Sequence, residues 1–197
     1  KDGGWNNLNL DIPVLRLSES TLGIVGFGRI GRTISERISS MGVKCIAYDP
    51  LLKEGDIINN IEIVSFDKLL KLSDFITVHV PLIESTYHLF SKDEFNKMKN
   101  NAILVNCARG GLIDESAASK ALDQGIIGGI GLDVIEDVSD NPSSPLFDNN
   151  NVIITPHTAF FSKASNEELQ RRTCEEVIRV INNQIPENFI NPEVKKI

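Results

Sequence analysis

The sequence lacks a surface suited to nucleic acid. The 197-residue chain carries a formal net charge of -7, and its Lys and Arg residues are scattered. Neutralising phosphate backbones calls for a basic stripe, so bulk nucleic-acid binding is not expected, although backbone N–H groups can still hold an anion locally. No apolar run approaches the ~18 residues of a membrane span, so no membrane partner is expected. The opening "KDGGWNNLNLD" has neither a basic n-region nor an apolar h-region, and no secretory signal is expected there. It also has no initiator Met, which suggests a piece of a longer protein with something missing upstream. Cys45, Cys107 and Cys174 are odd in number and far apart, with no CxxC or HExxH spacing. A metal site is therefore not expected, and unbridged thiols fit a reducing cytoplasm. Internal repeats, low-complexity stretches and long linkers are also lacking.

What remains is ordinary globular material, 41% hydrophobic and 24% charged, in a chain long enough for one domain with its own core. Strands are expected at 21–26, 43–49, 61–65 (weak), 74–80, 102–106, 126–134 and 151–155. Helices are expected at 29–41, 66–73, 91–99, 114–125 and 163–184, the 91–99 segment opening with a serine cap and two acids. Strands that alternate with helices and are apolar throughout indicate an α/β fold with a parallel sheet covered on both faces. Right-handed crossovers then make it a doubly wound open sheet, whose ligands lie at the carboxyl ends of the strands. Gly26, Asp49, Pro81, Arg109, Asp133 and His157 all follow strand ends in this scheme. The expected organisation is a connecting segment over 1–20, a Rossmann domain over 21–184 and a returning tail over 185–197.

"GIVGFGRIGR" contains Gly26-x-Gly28-x-x-Gly31 between a strand and a helix, as a dinucleotide fingerprint requires. The first glycine permits a tight turn, the second lets backbone approach a pyrophosphate, and the third lets helix pack on strand. Asp49 closes the next strand eighteen residues after Gly31, near the ~20-residue spacing of a ribose-binding acid. Such a carboxylate accepts from ribose hydroxyls and repels a 2′-phosphate, favouring NAD over NADP. Its other reading is a strand-end Asp in an Asp-Pro turn.

In "LVNCARGGLIDE", Arg109 follows a buried strand and precedes two glycines. It is either a structural ion-pair partner or a planar fork that clamps a carboxylate and polarises the neighbouring carbonyl. Nicotinamide chemistry also needs a proton carrier, for which histidine is suited. His79 lies within an apolar strand, and His88 in "STYHLF" reads as a surface helix or turn residue. His157, in "VIITPHTAFFSK", follows a late strand among small neighbours; taken alone, it is equally a polar turn residue.

Together the GxGxxG, the strand-end Asp, "HVPL", "NCARGGLIDE", "GLDVIE" and "TPHTA" resemble the D-2-hydroxyacid dehydrogenases, over the NAD-binding domain from about Thr21 to the end of the last helix. "TPHTAFFSKAS" and "IPENFINPE" resemble the branch that includes the C-terminal binding proteins and their bacterial dehydrogenase relatives. The resemblance implies that NAD is the cofactor and a 2-oxo or 2-hydroxy acid the substrate. It implies that Arg29 and Ile30 offer N–H groups to the pyrophosphate beside Gly26, Gly28 and Gly31, and that Asp49 holds the adenosine ribose. Val80, Pro81 and Thr86 would line the cofactor cleft, with Cys107, Ala108 and Asp133 around the nicotinamide. Arg109 would bind and polarise substrate, and His157 would be the acid/base, both also bordering the cofactor. A homodimer through this domain is implied, with Trp5 at its interface.

The chain departs from that pattern twice. The family carries a glutamate five residues after the Asp of "DV", hydrogen-bonded to the catalytic histidine; here that position is Val138, with Glu136 and Asp137 just before it. Phe160-Phe161 stands where the branch has Trp followed by an aromatic. The family's substrate domain is also absent, so this segment is expected to bind NAD without efficient catalysis alone. Either Asp137, through a loop shift, or Glu136 takes the glutamate's role, or the enzyme is impaired, and a non-catalytic NAD(H) sensor is the alternative to a dehydrogenase. A different Rossmann enzyme, such as a methyltransferase, is a third class. A short-chain epimerase would need Tyr-x-x-x-Lys, but Leu52 and Ser91 follow Tyr48 and Tyr87 at that spacing.

Overall fold

The computed structural model describes residues 15–140, 142–188 and 191. Trp5, expected at a dimer interface, lies outside the described residues, as do 189, 190 and 192–197 of the tail. The chain divides into two compact units, Lys1–Pro156 and His157–Ile197.

In the first unit, β1 (Thr21–Val25), α1 (Arg29–Ser39), β2 (Lys44–Tyr48), β3 (Ile57–Ile58), β4 (Ile61–Ile63), α2 (Phe66–Leu72) and β5 (Phe75–Val78) follow one another. They are continued by α3 (Lys92–Phe95), β6 (Ile103–Asn106), α4 (Glu115–Asp123), β7 (Gly129–Leu132) and β8 (Val152–Ile154). The strands form one sheet in the order β3-β4-β2-β1-β5-β6-β7-β8. Strand order runs outward in both directions from β1, whose Leu22 pairs with Cys45 of β2 and Phe75 of β5. This is the doubly wound α/β sheet expected, and its switch point lies between β1 and β5.

Every described pairing is parallel except β3 with β4. That hairpin was not expected. Its turn residues Asn59 and Asn60 have φ of 52° and 62°, the left-handed pair a type I′ turn demands and asparagine tolerates.

Alternation along the strands divides the core. Leu22, Ile24, Cys45 and Ala47 pack with Ile34 and Ile38 of α1. Ile76, Val78, Leu104, Ile130 and Leu132 pack with Leu69 and Leu70 of α2 and Ala118, Ala121 and Leu122 of α4. Burying each larger aliphatic side chain contributes about 2 kcal/mol. Helix α4 starts where Asp114 accepts from the Ala117 N–H at 2.9 Å, a cap. Helix α3 is shorter than its nine-residue sequence segment, ending at Phe95.

In the second unit, α5 (Lys163–Ile181) begins at Ser162, whose hydroxyl accepts from the Ser165 N–H at 3.0 Å. None of its residues is buried. Arg171–Glu175 at 2.5 Å and Arg172–Glu168 at 2.7 Å line its surface, each exposed pair contributing only ~0.3–0.5 kcal/mol.

Candidate functional site

The glycine turn shows three distinct demands. Gly26 has φ +94°, and a Cβ there would lie 2.7 Å from the His79 carbonyl carbon. A Cβ on Gly31 would overlap the Gly26 carbonyl oxygen and lie 3.0 Å from Ile24 Cγ2, so α1 packs this closely only without a side chain. Above Gly28, chain neighbours aside, no described residue lies within 4 Å of a would-be Cβ. Gly28 is the N-cap of α1 and brings no side-chain cap, leaving the first-turn N–H groups, those of Arg29 and Ile30 among them, without helical partners. Open space beside such donors fits a pyrophosphate.

Asp49 takes the turn role that its position suggests. It accepts from the Leu51 N–H at 2.9 Å, closing the Asp-Pro turn, and from the Phe27 N–H at 2.9 Å, pinning the glycine turn to the end of β2. A carboxylate has about four lone-pair sites, so acceptors remain for ribose hydroxyls.

Across the switch point, the His79 N–H donates to Val25 O at 2.7 Å. Val80 is buried and Pro81 exposed. The Thr86 hydroxyl donates to Pro81 O at 2.7 Å and accepts from the Ile83 N–H at 2.9 Å, closing the turn after β5. His79 lies just past β5 rather than within it, its ring 2.8 Å from the Thr77 hydroxyl. Burial lowers its pKa from 6.5 to about 4. Between those values the unfolded chain binds the proton that the folded ring refuses, so acid favours unfolding. This contribution is complete above about pH 6.5 and is lost as pH falls through about 4. It amounts to roughly 2 kcal/mol once residual ring solvation is allowed for. Urea denaturation at pH 7 and pH 4 should show most of that loss in the wild type and a flatter dependence in His79→Gln; equal slopes would refute it.

At the end of β6, Asn106 is fully buried. Its amide donates to Arg109 O at 2.8 Å and its carbonyl accepts from the Ala108 N–H at 2.9 Å, fixing the Cys107–Arg109 turn. Cys107 is exposed overall, but partial burial of the thiol, and then the Asp133 carboxylate, push its pKa up. Arg109 is exposed and donates to Ala108 O at 2.6 Å. Among the described residues it forms no ion pair. Asp133, 3% exposed at the end of β7, accepts from the Thr155 hydroxyl at 2.5 Å.

His157 opens the second unit. It is exposed, with φ +53°, and its ring meets Phe160 edge-on at 6.1 Å. Phe160 in turn meets Phe161 edge-on at 6.3 Å.

The loop after β7 carries the departure. Val138 is 87% exposed. Asp137 accepts from the Ser139 and Ser143 N–H groups at 3.0 and 2.9 Å, which holds its carboxyl below the usual range. Glu136 accepts from the Tyr87 hydroxyl at 2.7 Å and lies 3.2 Å from His88 Nε2. Both acids are thus occupied within their own unit. Asn106, Tyr87 and Thr155 were not among the expected site residues, and Glu136 was named only as a replacement for the missing glutamate. Only Asn106 had a readable signal, a polar amide ending an apolar strand.

Residues 1–159 match the family described as D-isomer specific 2-hydroxyacid dehydrogenase, NAD binding domain. A glyoxylate reductase of Korarchaeum cryptofilum is 40% identical over 178 residues, covering 90% of this chain and 54% of that protein. A hydroxypyruvate reductase of Thermotoga maritima is 41% identical over 183 residues, covering 92% and 57%. Among solved structures, D-lactate dehydrogenase of Lactobacillus jensenii with NAD+ superposes with a TM-score of 0.83 at 32% identity, covering 92% of this chain and 59% of that one. The chain thus spans little more than half the length of these relatives.

Proposed function

Since the chain belongs to the D-isomer specific 2-hydroxyacid dehydrogenases as their NAD-binding domain, we propose that the full-length protein interconverts a 2-oxo acid and a D-2-hydroxy acid. The observation that carries this reading is Arg109, a guanidinium at a strand's carboxyl end with no ion pair among the described residues. When bound, NADH supplies the hydride. Gly28 and the N–H groups of Arg29 and Ile30 take the pyrophosphate, and Asp49 takes the ribose and disfavours a 2′-phosphate. Arg109 clamps the substrate carboxylate and draws electron density from the carbonyl. His157 gives its proton to the carbonyl oxygen, so one hydride and one proton convert C=O to CH–OH. Among the described residues no helix is long and apolar enough to cross a membrane, and three free cysteines support a reducing cytoplasm. The family resemblance supports a homodimer.

A second reading, an NAD(H) sensor without turnover, is favoured by Val138. The glutamate that the family resemblance implies at that position, partner to the catalytic histidine, is missing. NADH oxidation by the full-length protein against glyoxylate, hydroxypyruvate and pyruvate, beside Val138→Glu, separates the two. The dehydrogenase reading expects turnover by the wild type and about tenfold or more in Val138→Glu. Turnover by the variant alone makes the native protein a sensor. With NADH bound and neither protein active, the dehydrogenase reading fails.

A further inference from the structure

Three segments distant in sequence meet on two carboxylates beside Arg109. The Glu136 carboxylate accepts from the Tyr87 hydroxyl at 2.7 Å and engages His88 Nε2 at 3.2 and 3.3 Å. Its own N–H donates to Glu115 at 2.7 Å, and the Ser144 hydroxyl donates to the second Glu115 oxygen. Tyr87 and His88 stack at 3.9 Å with 18° between their planes.

That stacked pair holds the turn after Arg109. The His88 N–H donates to Gly111 O at 2.8 Å, and the Phe90 N–H to Leu112 O at 3.0 Å. The Tyr87 ring lies 3.4 Å from a would-be Cβ on Gly111, and one on Gly110 would overlap Ile135 O. His88 has φ +50°, a conformation that persists only where its surroundings enforce it. The Glu136 carboxylate holds the His88 ring and the Gly111 carbonyl holds its N–H. The Arg109 guanidinium donates to Ala108 O, and its backbone, held on one side by Asn106, runs on into the Gly110–Leu112 segment that these contacts hold.

We propose that Glu136 is a positioning residue for substrate recognition, tying the Tyr87–His88 turn to the Arg109–Gly111 turn so that the guanidinium meets a 2-oxo acid carboxylate; this rests on the role of Arg109 given above. Glu136 does not touch substrate. It serves a role different from that of the absent carboxylate at Val138.

The test uses full-length Glu136→Ala and Glu136→Gln, with the turned-over 2-oxo acid, or with oxamate binding to the NADH complex. Glu136→Ala should raise KM (or the oxamate Kd) about tenfold or more, with kcat changed less than about threefold and NADH affinity unaltered. Glu136→Gln still accepts from Tyr87 and should return the constant close to wild type. Amide exchange at His88 and Phe90 should quicken in the alanine variant alone. Unchanged substrate affinity in Glu136→Ala, or parallel loss of kcat, KM and thermal stability without rescue by Gln, overturns the proposal. If the wild type neither turns over nor binds oxamate, the dehydrogenase reading fails. Exchange then still decides the tether: faster in Glu136→Ala supports it, and unchanged exchange overturns it.

Discussion

Replacing His157 by alanine in the full-length protein is expected to lower turnover by roughly 10²–10⁴ while leaving NADH affinity within about twofold, the range that removing a general acid produces. His157 follows Thr155-Pro156 at the end of β8 and has φ +53°. A non-glycine residue in that region costs on the order of 1 kcal/mol, and such strain gathers at functional sites. A turn residue of no function would be relieved by glycine or asparagine, and turnover would not depend on the ring. Steady-state rates of His157→Ala and His157→Asn, with NADH titrated by fluorescence, check this. Wild-type turnover in either variant would remove His157 from the proton path. A parallel loss of NADH affinity would mean that it serves the cofactor instead.

The glycine turn, the place of Asp49 at a strand end and the doubly wound parallel sheet were legible because their signals are local. GxGxxG sits between a strand and a helix, and apolar runs set the parallel strands. The β3–β4 hairpin escaped because Ile57–Ile58 is a two-residue strand, too short for any period, although Asn59-Asn60 names its turn. The contact of Tyr87 with Glu136 escaped for another reason: they lie 49 residues apart, and only the adjacency of the ends of β5, β6 and β7 brings them together. Val138 was legible as a departure. That Asp137 closes its own loop while Glu136 reaches across to another was not, because side chains one residue apart carry no sequence sign of which way each will turn.

Gly28→Ala and Gly31→Ala, three residues apart in one motif, are expected to fail in opposite ways. With no described residue beyond its chain neighbours within 4 Å of the added methyl and an ordinary φ of -77°, Gly28→Ala should leave stability unchanged to about 0.5 kcal/mol. That methyl would instead occupy the space beside the α1 N-terminus, so NADH affinity should fall at least about tenfold, ~1.4 kcal/mol. Gly31→Ala drives its methyl into the Gly26 carbonyl oxygen and toward Ile24, where backbone cannot give way cheaply. It should cost about 2–3 kcal/mol by overpacking, a fall in Tm of roughly 4–12 °C for a domain this size. Thermal melts without cofactor, beside NADH titrations below each Tm, separate the two. Equal destabilisation by both would mean that the space above Gly28 is filled by protein in solution. Unchanged NADH affinity in a stable Gly28→Ala would mean that the pyrophosphate does not approach the turn there. Only loss of affinity without loss of stability makes Gly28 a residue kept bare for the cofactor, and Gly31 one kept bare for the fold.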